Sequence, residues 1–143
     1  MKILVCVKQV CDAETPFSIS PDGREIILPF RVTYRMNRYD EHAMEEALRL
    51  KDEGIATVIE TVSVGPERAA GTLRRSLEIG ANNAYHIIAE NDPLSPALIA
   101  KLIADFARKR EYDLVVTGLI SEDGMNGAVG PKTAANLGYP HAT

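Results

Sequence analysis

Short apolar runs alternate along the chain with segments in which apolar residues recur at helical spacing. The apolar runs lie at residues 2–7, 57–64, 84–88 and 113–118. Unbroken apolar runs are typical of strands that are covered on both faces, as in a parallel sheet. The helical segments lie around residues 43–48, 69–77 and 98–106. The pattern therefore predicts strands and helices in alternation.

Helix-capping residues stand where the pattern changes. Pro66 is suited to a helix start, and Gly80 follows the end of the same helical segment. Ser95 and Pro96 supply a cap and a first-turn proline for the next helix. These residues support the predicted helix boundaries.

One segment departs from the simple alternation. Residues 17–19 and 26–28 are rich in apolar residues and flank the turn sequence Pro21-Asp22-Gly23, which predicts a β-hairpin between the first strand and the first helix. Right-handed crossovers between the parallel strands then give a doubly wound α/β sheet, and ligand sites in such sheets lie at the carboxyl ends of the strands.

Length and composition are those of one globular domain. The 143 residues are 45% hydrophobic and 25% charged, and the formal net charge is −4. These values argue against disorder, collagen-like repeats and a coiled coil. No segment concentrates lysine and arginine, so nucleic acid is not expected as a partner.

Neither a membrane anchor nor a metal site is predicted. The apolar run at residues 3–7 is too short for a signal peptide, and no stretch approaches the length of a membrane span, so we expect a cytoplasmic protein without direct membrane insertion. Cys6 and Cys11 lack the spacing of a CxxC motif, and the three histidines are scattered. Cys6 lies inside an apolar strand and is expected to be a small buried hydrophobe.

The segment at residues 117–137 carries the strongest sign of chemistry. A strand ends there, a loop of small and polar residues follows, and a helix begins near Gly130. A helix start with free backbone amides favours an anion, and a phosphate or pyrophosphate is the natural candidate. Ser121, Asn126 and Thr133 could donate hydrogen bonds to it. The alternative is a polar connector without a ligand. The sequence matches neither a P-loop nor the dinucleotide fingerprint.

Two other segments contain weaker candidates. Lys8 follows the first strand and either contacts a ligand or solubilises a loop. Asn37 is placed to cap the first helix, and Asp40 and Glu41 suit the positive end of its dipole. Tyr39, beside them, is either a functional or a packing residue. No catalytic constellation emerges, so the chain is not expected to be an enzyme.

Taken together, the motifs resemble the beta subunit of electron transfer flavoproteins. The matching blocks, in chain order, are KILVCVKQVCD at 2–12, MNRYDEHAMEEALRLKDEG at 36–54, VSVGP at 62–66, LRRSLEIGANNAYHI at 73–87, DLVVTG at 113–118 and DGMNGAVGPKTAANLGYPHAT at 123–143.

The resemblance implies an adenine-nucleotide-binding sheet of the Rossmann-like type and an electron carrier. The beta subunit forms a heterodimer with an alpha subunit that holds FAD, and the pair carries electrons from acyl-CoA or other dehydrogenases to an acceptor. The beta subunit itself holds AMP, or a second FAD in electron-bifurcating members. Tyr39 would lie closest to the partner's flavin. The residues implied to bind the nucleotide are Cys6, Lys8, Asn37, Arg38, Tyr39, Asp40, Val64, Asp123, Asn126, Gly127, Ala128, Val129, Gly130, Thr133 and Ala134.

The chain also departs from the family. Ile120, Met125 and Ala128 stand where many members have Gln, Asp and Gln. Members are also longer, so residues 1–143 are expected to form a single domain that stops before its last strands and self-associates through an open sheet edge. Besides an electron-carrying subunit, two alternatives remain: an adenine-nucleotide sensor without redox activity, and an interaction domain that has lost its ligand, which these three substitutions favour.

Overall fold

A computed structural model describes residues 1–90 and 94–143. The strands are β1 Lys2–Cys6, β2 Gln9–Cys11, β3 Ser18–Ile19, β4 Ile26–Ile27, β5 Tyr34–Met36, β6 Val58–Gly65, β7 Asn83–Ile88 and β8 Leu114–Thr117. The helices are α1 Arg38–Asp52, α2 Ala70–Glu78 after a 3₁₀ turn at Glu67–Ala69, α3 Pro96–Arg108 and α4 Val129–Leu137. The sequence between the third predicted strand and Pro96 predicts a loop at residues 91–96, and its first three residues lie outside the described part of the chain.

The predicted doubly wound sheet is confirmed. Its four strands follow the order β7-β6-β1-β8 and all pair in parallel. At the carboxyl end of β1, Cys6 lies between Val62 of β6 and Thr117 of β8. The ends of these three neighbouring strands therefore meet at one edge of the sheet, which we call the carboxyl edge.

Alternate residues of β1 build two cores, one on each face of the sheet. Ile3 and Val5 pack with α1 on one face, where Met44 is fully buried. Leu4 and Cys6 pack with α3 on the other face, around Ile103. A strand covered on both faces needs apolar side chains at odd and even positions alike, which explains the unbroken apolar run.

The segment between β1 and α1 contains more structure than the predicted hairpin. The hairpin is confirmed as β3 paired with β4, and its apolar side chains are exposed, among them Phe17 and Phe30. In addition, β2 pairs antiparallel with β5. Val10, at the centre of β2, is buried and fixes this pair against the domain. This second pair of strands was not predicted from the sequence.

The predicted helix-capping residues are found at the end of α2 and the start of α3. Ser95 Oγ accepts a hydrogen bond from the backbone N–H of Leu98 at 3.2 Å, and Pro96 is the first residue of α3. Gly80 and Gly138, which follow α2 and α4, have φ angles of 126° and 73° that favour glycine. No helix in residues 1–90 or 94–143 is both long and apolar enough to cross a membrane.

A buried carboxylate lies at the opposite, amino-terminal edge of the sheet. Glu60 on β6 accepts hydrogen bonds from Tyr112 Oη at 2.6 Å and Asn83 Nδ2 at 2.9 Å, and it pairs with Lys2 Nζ at 3.2 Å. Burial raises the pKa of this carboxyl, but the hydrogen bonds and Lys2 outweigh burial and leave its pKa below the usual value. Glu60 is therefore a charged group that its neighbours satisfy.

Candidate functional site

A cavity of about 300 Å³ opens at the carboxyl edge of the sheet. Its floor is formed by the ends of β1, β6 and β8, with Cys6, Val62 and Thr117 among the lining residues. One wall comes from the start of α1 and the other from α3. The loop that joins β8 to α4, residues 118–128, forms the rim and is called the 118–128 loop below. The cavity is thus assembled from five segments that are distant in sequence.

The 118–128 loop is fastened to the start of α1 by one asparagine. Asn37 Nδ2 donates to the carbonyl of Ile120 at 2.9 Å, and Asn37 Oδ1 accepts from the backbone N–H of Glu122 at 3.0 Å. Asn37 is the N-cap residue of α1, but its side chain makes no capping hydrogen bond. Asn37 therefore stands at the predicted cap position, but the predicted capping hydrogen bond is wrong, because the side chain bonds to the loop instead of to its own helix.

Glu122 of the loop supplies the missing cap. Its carboxylate accepts from the backbone N–H of Arg38 at 3.0 Å and pairs with the guanidinium of Arg35 at 3.0 Å. The hydrogen bond from Arg38 and the contact with Arg35 lower the pKa of the Glu122 carboxyl. A carboxylate at the first turn of a helix is favourable because the N-terminal amides lack helical acceptors. The loop and the start of α1 therefore satisfy each other's backbone polar groups.

Asp40 is the buried ionisable group of the cavity. Its Oδ2 accepts from the backbone N–H of Lys8 at 2.7 Å, and the Gly118 amide and Asn37 also hydrogen-bond to it. Burial raises the pKa of this carboxyl to about 6, because it outweighs these hydrogen bonds and the charge of Lys8. Asp40 thus joins α1 to the ends of β1 and β8.

Close packing around Asp40 requires a glycine at the end of β8. A Cβ atom on Gly118 would collide with Asp40 Oδ1 and would lie 2.9 Å from the backbone N of Asp40. A Cβ on Gly127, farther along the loop, would lie 2.9 Å from the carbonyl oxygen of Leu119. The loop can follow its path only because these positions lack side chains.

Lys8 and Asp123 form an ion pair across the mouth of the cavity, with Nζ and Oδ1 2.6 Å apart. Beyond the pair lies a second cavity of about 290 Å³, which shares Val64, Ile99 and Gly124 with the first. Both side chains of the pair are more than one-third exposed. Lys8 lines both cavities and Asp123 lines the second, so the pair lies where the two cavities adjoin.

The start of α4 faces the same region. Ala128 is its N-cap residue and provides no side-chain cap, and the first turn holds no acidic residue. Val129 and Gly130 line the cavity. The first backbone N–H groups of a helix have no helical acceptor, and the helix dipole makes this end positive. This end of α4 is chemically suited to an anion.

Comparison with known proteins gives the family. A model of the electron transfer flavoprotein domain matches residues 26–143. The chain belongs to this family. It is 37% identical over 143 residues to the electron transfer flavoprotein subunit beta of Bradyrhizobium diazoefficiens, and 34% identical over 146 residues to that of Homo sapiens. Each match covers 100% of this chain and 57% of the relative. The chain therefore spans just over half the length of these curated relatives.

The resemblance to electron transfer flavoproteins, which the motifs predicted, is confirmed by these matches. The structure brings many of the predicted nucleotide-binding residues into one cavity. Those that line the first cavity are Cys6, Lys8, Asn37, Asp40, Val64, Asn126, Gly127, Val129 and Gly130. Their role as ligand contacts stays a prediction, but the topology accounts for their proximity because parallel strands end at one edge.

Six predicted residues do not line the first cavity; they are Arg38, Tyr39, Asp123, Ala128, Thr133 and Ala134. Asp123 lines the second cavity. Thr133 is 1% exposed, and its Oγ1 has no hydrogen-bond partner among the described residues. Of the three departures from the family pattern, Ile120 lines the first cavity and Met125 is exposed.

The apolar wall of the cavity was not predicted from the sequence. Ile99 and Ile103 of α3 line the cavity together with Val62 of β6. The two isoleucines are four residues apart, so they lie on the same face of the helix. A signal was present, because this face is the same apolar stripe that predicted α3. Periodicity alone does not tell which part of such a stripe extends past the core to a cavity.

Cys6 has little chemistry of its own at the cavity floor. Burial, and secondly the nearby charge of Asp40, raises the pKa of its thiol to about 12. The thiol is therefore protonated near neutral pH and is a poor nucleophile or metal ligand. Within residues 1–90 and 94–143, no group of three or more His, Cys, Asp or Glu side chains is arranged to hold a metal ion.

Proposed function

We propose that this chain acts as the nucleotide-holding beta subunit of an electron transfer flavoprotein. It binds AMP in the first cavity and pairs with an alpha subunit that holds FAD. The pair then carries electrons from dehydrogenases to an acceptor in the cytoplasm, and the chain is an electron carrier and not an enzyme. The observation that carries this proposal is the coincidence of the cavity with the motifs that the chain shares with its family. The free thiols of Cys6 and Cys11 are consistent with a reducing compartment.

The apolar part of the cavity fits an adenine ring. Ile99 and Ile103 on α3 and Val62 on β6 present aliphatic side chains to the same space. Small-molecule cavities of about 300 Å³ and more typically combine such walls with a few polar groups. Burial of a flat aromatic base against aliphatic side chains is favoured by the hydrophobic effect. These residues would therefore hold the base.

The polar part of the cavity fits a phosphate. The amide groups at the start of α4 and the small residues of the 118–128 loop leave space and hydrogen-bond donors at one end of the cavity. Lys8 Nζ, now paired with Asp123, lies at the same mouth and can supply a positive charge. The phosphate would lie between α4 and Lys8, with Asn126 as a further donor.

The two cavities favour AMP over a second FAD. The first cavity alone has the volume of a small ligand site, whereas a dinucleotide would need both cavities. Lys8 lines both spaces, and its ion pair with Asp123, which lines only the second, holds it there. We therefore expect a mononucleotide in the first cavity while this pair is intact.

The predicted role of the chain in electron transfer is positional. A flavin supplies the reversible redox chemistry when bound, and the protein sets its position and surroundings. Asn37 and Glu122 hold the 118–128 loop against α1, so the rim of the cavity keeps its shape. Tyr39, half-buried in the first turn of α1, would face the flavin of the alpha subunit.

Calorimetric titration of the chain with AMP tests the site. Ile99→Glu would place a carboxylate in the apolar wall, and we expect it to weaken AMP binding by about tenfold or more, because a buried unpaired charge is strongly unfavourable. Leu98→Glu is the matched control, since Leu98 is 43% exposed on the same helix and does not line the cavity. Equal AMP affinity in the two variants, or no binding by the unmodified chain, would refute the assignment.

The second candidate function is an adenine-nucleotide sensor without redox activity. It is favoured by one observation: the first cavity already combines an apolar wall with polar groups, which is what a mononucleotide site needs. Mass spectrometry and visible absorbance of the chain, purified together with the product of a neighbouring alpha-subunit gene, separate the two functions. AMP with one flavin per heterodimer supports the electron carrier. AMP on an isolated chain that captures no flavoprotein partner supports the sensor.

A further inference from the structure

We propose that Asn126 is a site of spontaneous deamidation, with the backbone nitrogen of Gly127 as the nucleophile. Asn126-Gly127 is the only Asn-Gly pair in the sequence. Glycine after asparagine removes the side chain that would otherwise hinder attack of the backbone nitrogen on the asparagine side chain. Both residues are exposed, so water and base reach them.

The local geometry brings the reacting groups together. Asn126 Oδ1 accepts a hydrogen bond from the backbone N–H of Ala128 at 2.9 Å. This contact folds the side chain back over the intervening Asn126–Gly127 peptide, on the side of the nitrogen that would attack. The same hydrogen bond polarises the side-chain carbonyl and stabilises the negative charge that develops on Oδ1 during attack.

The nucleophile is not engaged elsewhere. Within the described part of the chain, the backbone N–H of Gly127 donates no hydrogen bond. The neighbouring chain is held in place, because the Asn126 carbonyl accepts from the backbone N–H of Ser121 at 3.1 Å. The loop therefore fixes the electrophile and leaves the attacking nitrogen available.

The reaction needs only water as co-reactant. The Gly127 nitrogen loses its proton to solvent base and forms a bond to Asn126 Cγ, while the Cγ–Nδ2 bond breaks and ammonia leaves. The resulting five-membered imide is opened by water at either carbonyl carbon. The products are aspartate or isoaspartate at position 126, and the net change is the replacement of an amide nitrogen and its hydrogens by a hydroxyl.

Other asparagines are held away from this reaction. Asn82 Oδ1 accepts from the backbone N–H of Ile59 at 2.9 Å and from Lys51 Nζ at 3.2 Å, which directs the side chain away from the following peptide. Asn37 is buried and uses both side-chain atoms to hold the 118–128 loop. Among the described asparagines, the structure therefore favours reaction at Asn126 over Asn37 and Asn82.

The modification would act on the site of the proposed function, on which this part of the inference rests. Asn126 lines the first cavity, and a carboxylate there would stand three residues before the first helical residue of α4. Negative charge at that point opposes an anionic ligand at the same helix end. We expect AMP affinity to fall about two- to fivefold, by analogy with single charges at helix termini.

Peptide mapping by mass spectrometry tests the modification. The 143-residue chain is incubated folded at mildly alkaline pH, and in parallel unfolded in urea. We expect aspartate and isoaspartate to accumulate at position 126 while Asn82 stays intact, and the folded chain to react at least as fast as the unfolded one. Reaction at Asn126 that is more than tenfold slower in the folded chain, or no faster than at Asn82, would overturn the proposal.

AMP titration of Asn126→Asp tests the consequence separately. A two- to fivefold weaker affinity than that of the freshly prepared chain supports it, and an unchanged affinity contradicts it. If the unmodified chain fails to bind AMP, the proposed function is refuted, while the peptide map still decides whether Asn126 deamidates.

Discussion

The pKa of Asp40 predicts that the protein becomes more stable when the pH falls from 7 to 5. Asp40 is 6% exposed, and burial raises its pKa in the folded protein from the usual 3.8 to about 6. At pH 7 the carboxyl is charged in both the folded and the unfolded chain. At pH 5 it is mostly protonated when folded and still charged when unfolded.

The sign and the size follow from proton linkage. A group whose pKa is raised by folding contributes stability that is fully present below its unfolded pKa and is lost as the pH rises through its folded pKa. One pKa unit corresponds to about 1.4 kcal/mol. Most of the titration of Asp40 in the folded protein lies between pH 5 and 7. The free energy of unfolding of the protein should therefore rise by about 1 kcal/mol as the pH falls across that interval.

Urea unfolding at both pH values measures the effect. Asp40→Asn cannot titrate, so the wild-type protein should gain about 1 kcal/mol over this variant between pH 7 and 5. Asp52→Asn, an exposed change on the same helix, is the matched control and should follow the wild type. If Asp40→Asn does not fold, an NMR titration of the Asp40 carboxyl replaces it. Parallel stability curves for wild type and Asp40→Asn, or a carboxyl that titrates near pH 4, would refute the argument.

Three further predictions concern the loop, the amino-terminal edge and the sheet edge. Gly118→Ala should destabilise the protein by about 1–3 kcal/mol in urea unfolding, because its Cβ would collide with Asp40, whereas Gly124→Ala, whose Cβ meets only Ser121 Oγ at 3.7 Å, should stay within about 0.5 kcal/mol. Folding lowers the pKa of Glu60, so its charge stabilises the folded protein and this contribution should be lost as acid protonates it below pH 4. In Glu60→Gln the free energy of unfolding should therefore fall less steeply with decreasing pH than in the wild type. An unchanged pH dependence would contradict the assignment. The isolated chain should self-associate at micromolar concentration through the outer edge of β8, and a monomer in light scattering would count against this.

Local sequence patterns were sufficient to predict the central sheet. β1 is apolar at successive positions because helices cover both faces of the sheet, and this need is visible in the sequence itself. Ser95 and Pro96 marked the start of α3 because capping depends on residues that are close in sequence. The carboxyl edge as the place of the cavity then followed from parallel topology.

Contacts between distant segments were not predictable in the same way. The pairing of β2 with β5 joins strands with the hairpin between them, and neither strand exceeds three residues. Asn37 was recognised as a capping type, but its choice of Ile120 and Glu122 as partners depends on where the 118–128 loop lies in space. A local rule names the chemistry that a polar side chain offers, and the tertiary fold decides which partner uses it.

Two buried carboxylates at opposite edges of the sheet differ in how well their surroundings stabilise the charged form. Glu60 is close to a cation, Lys2, and accepts hydrogen bonds from several side chains, so its charge is stabilised. Asp40 has mainly backbone donors, and burial dominates, so its charge lowers the stability of the folded protein near neutral pH. Destabilising groups that a fold retains are concentrated at functional sites, because activity needs them there. The position of Asp40 on the wall of the first cavity therefore supports, independently of the family match, the proposal that a ligand binds at the carboxyl edge.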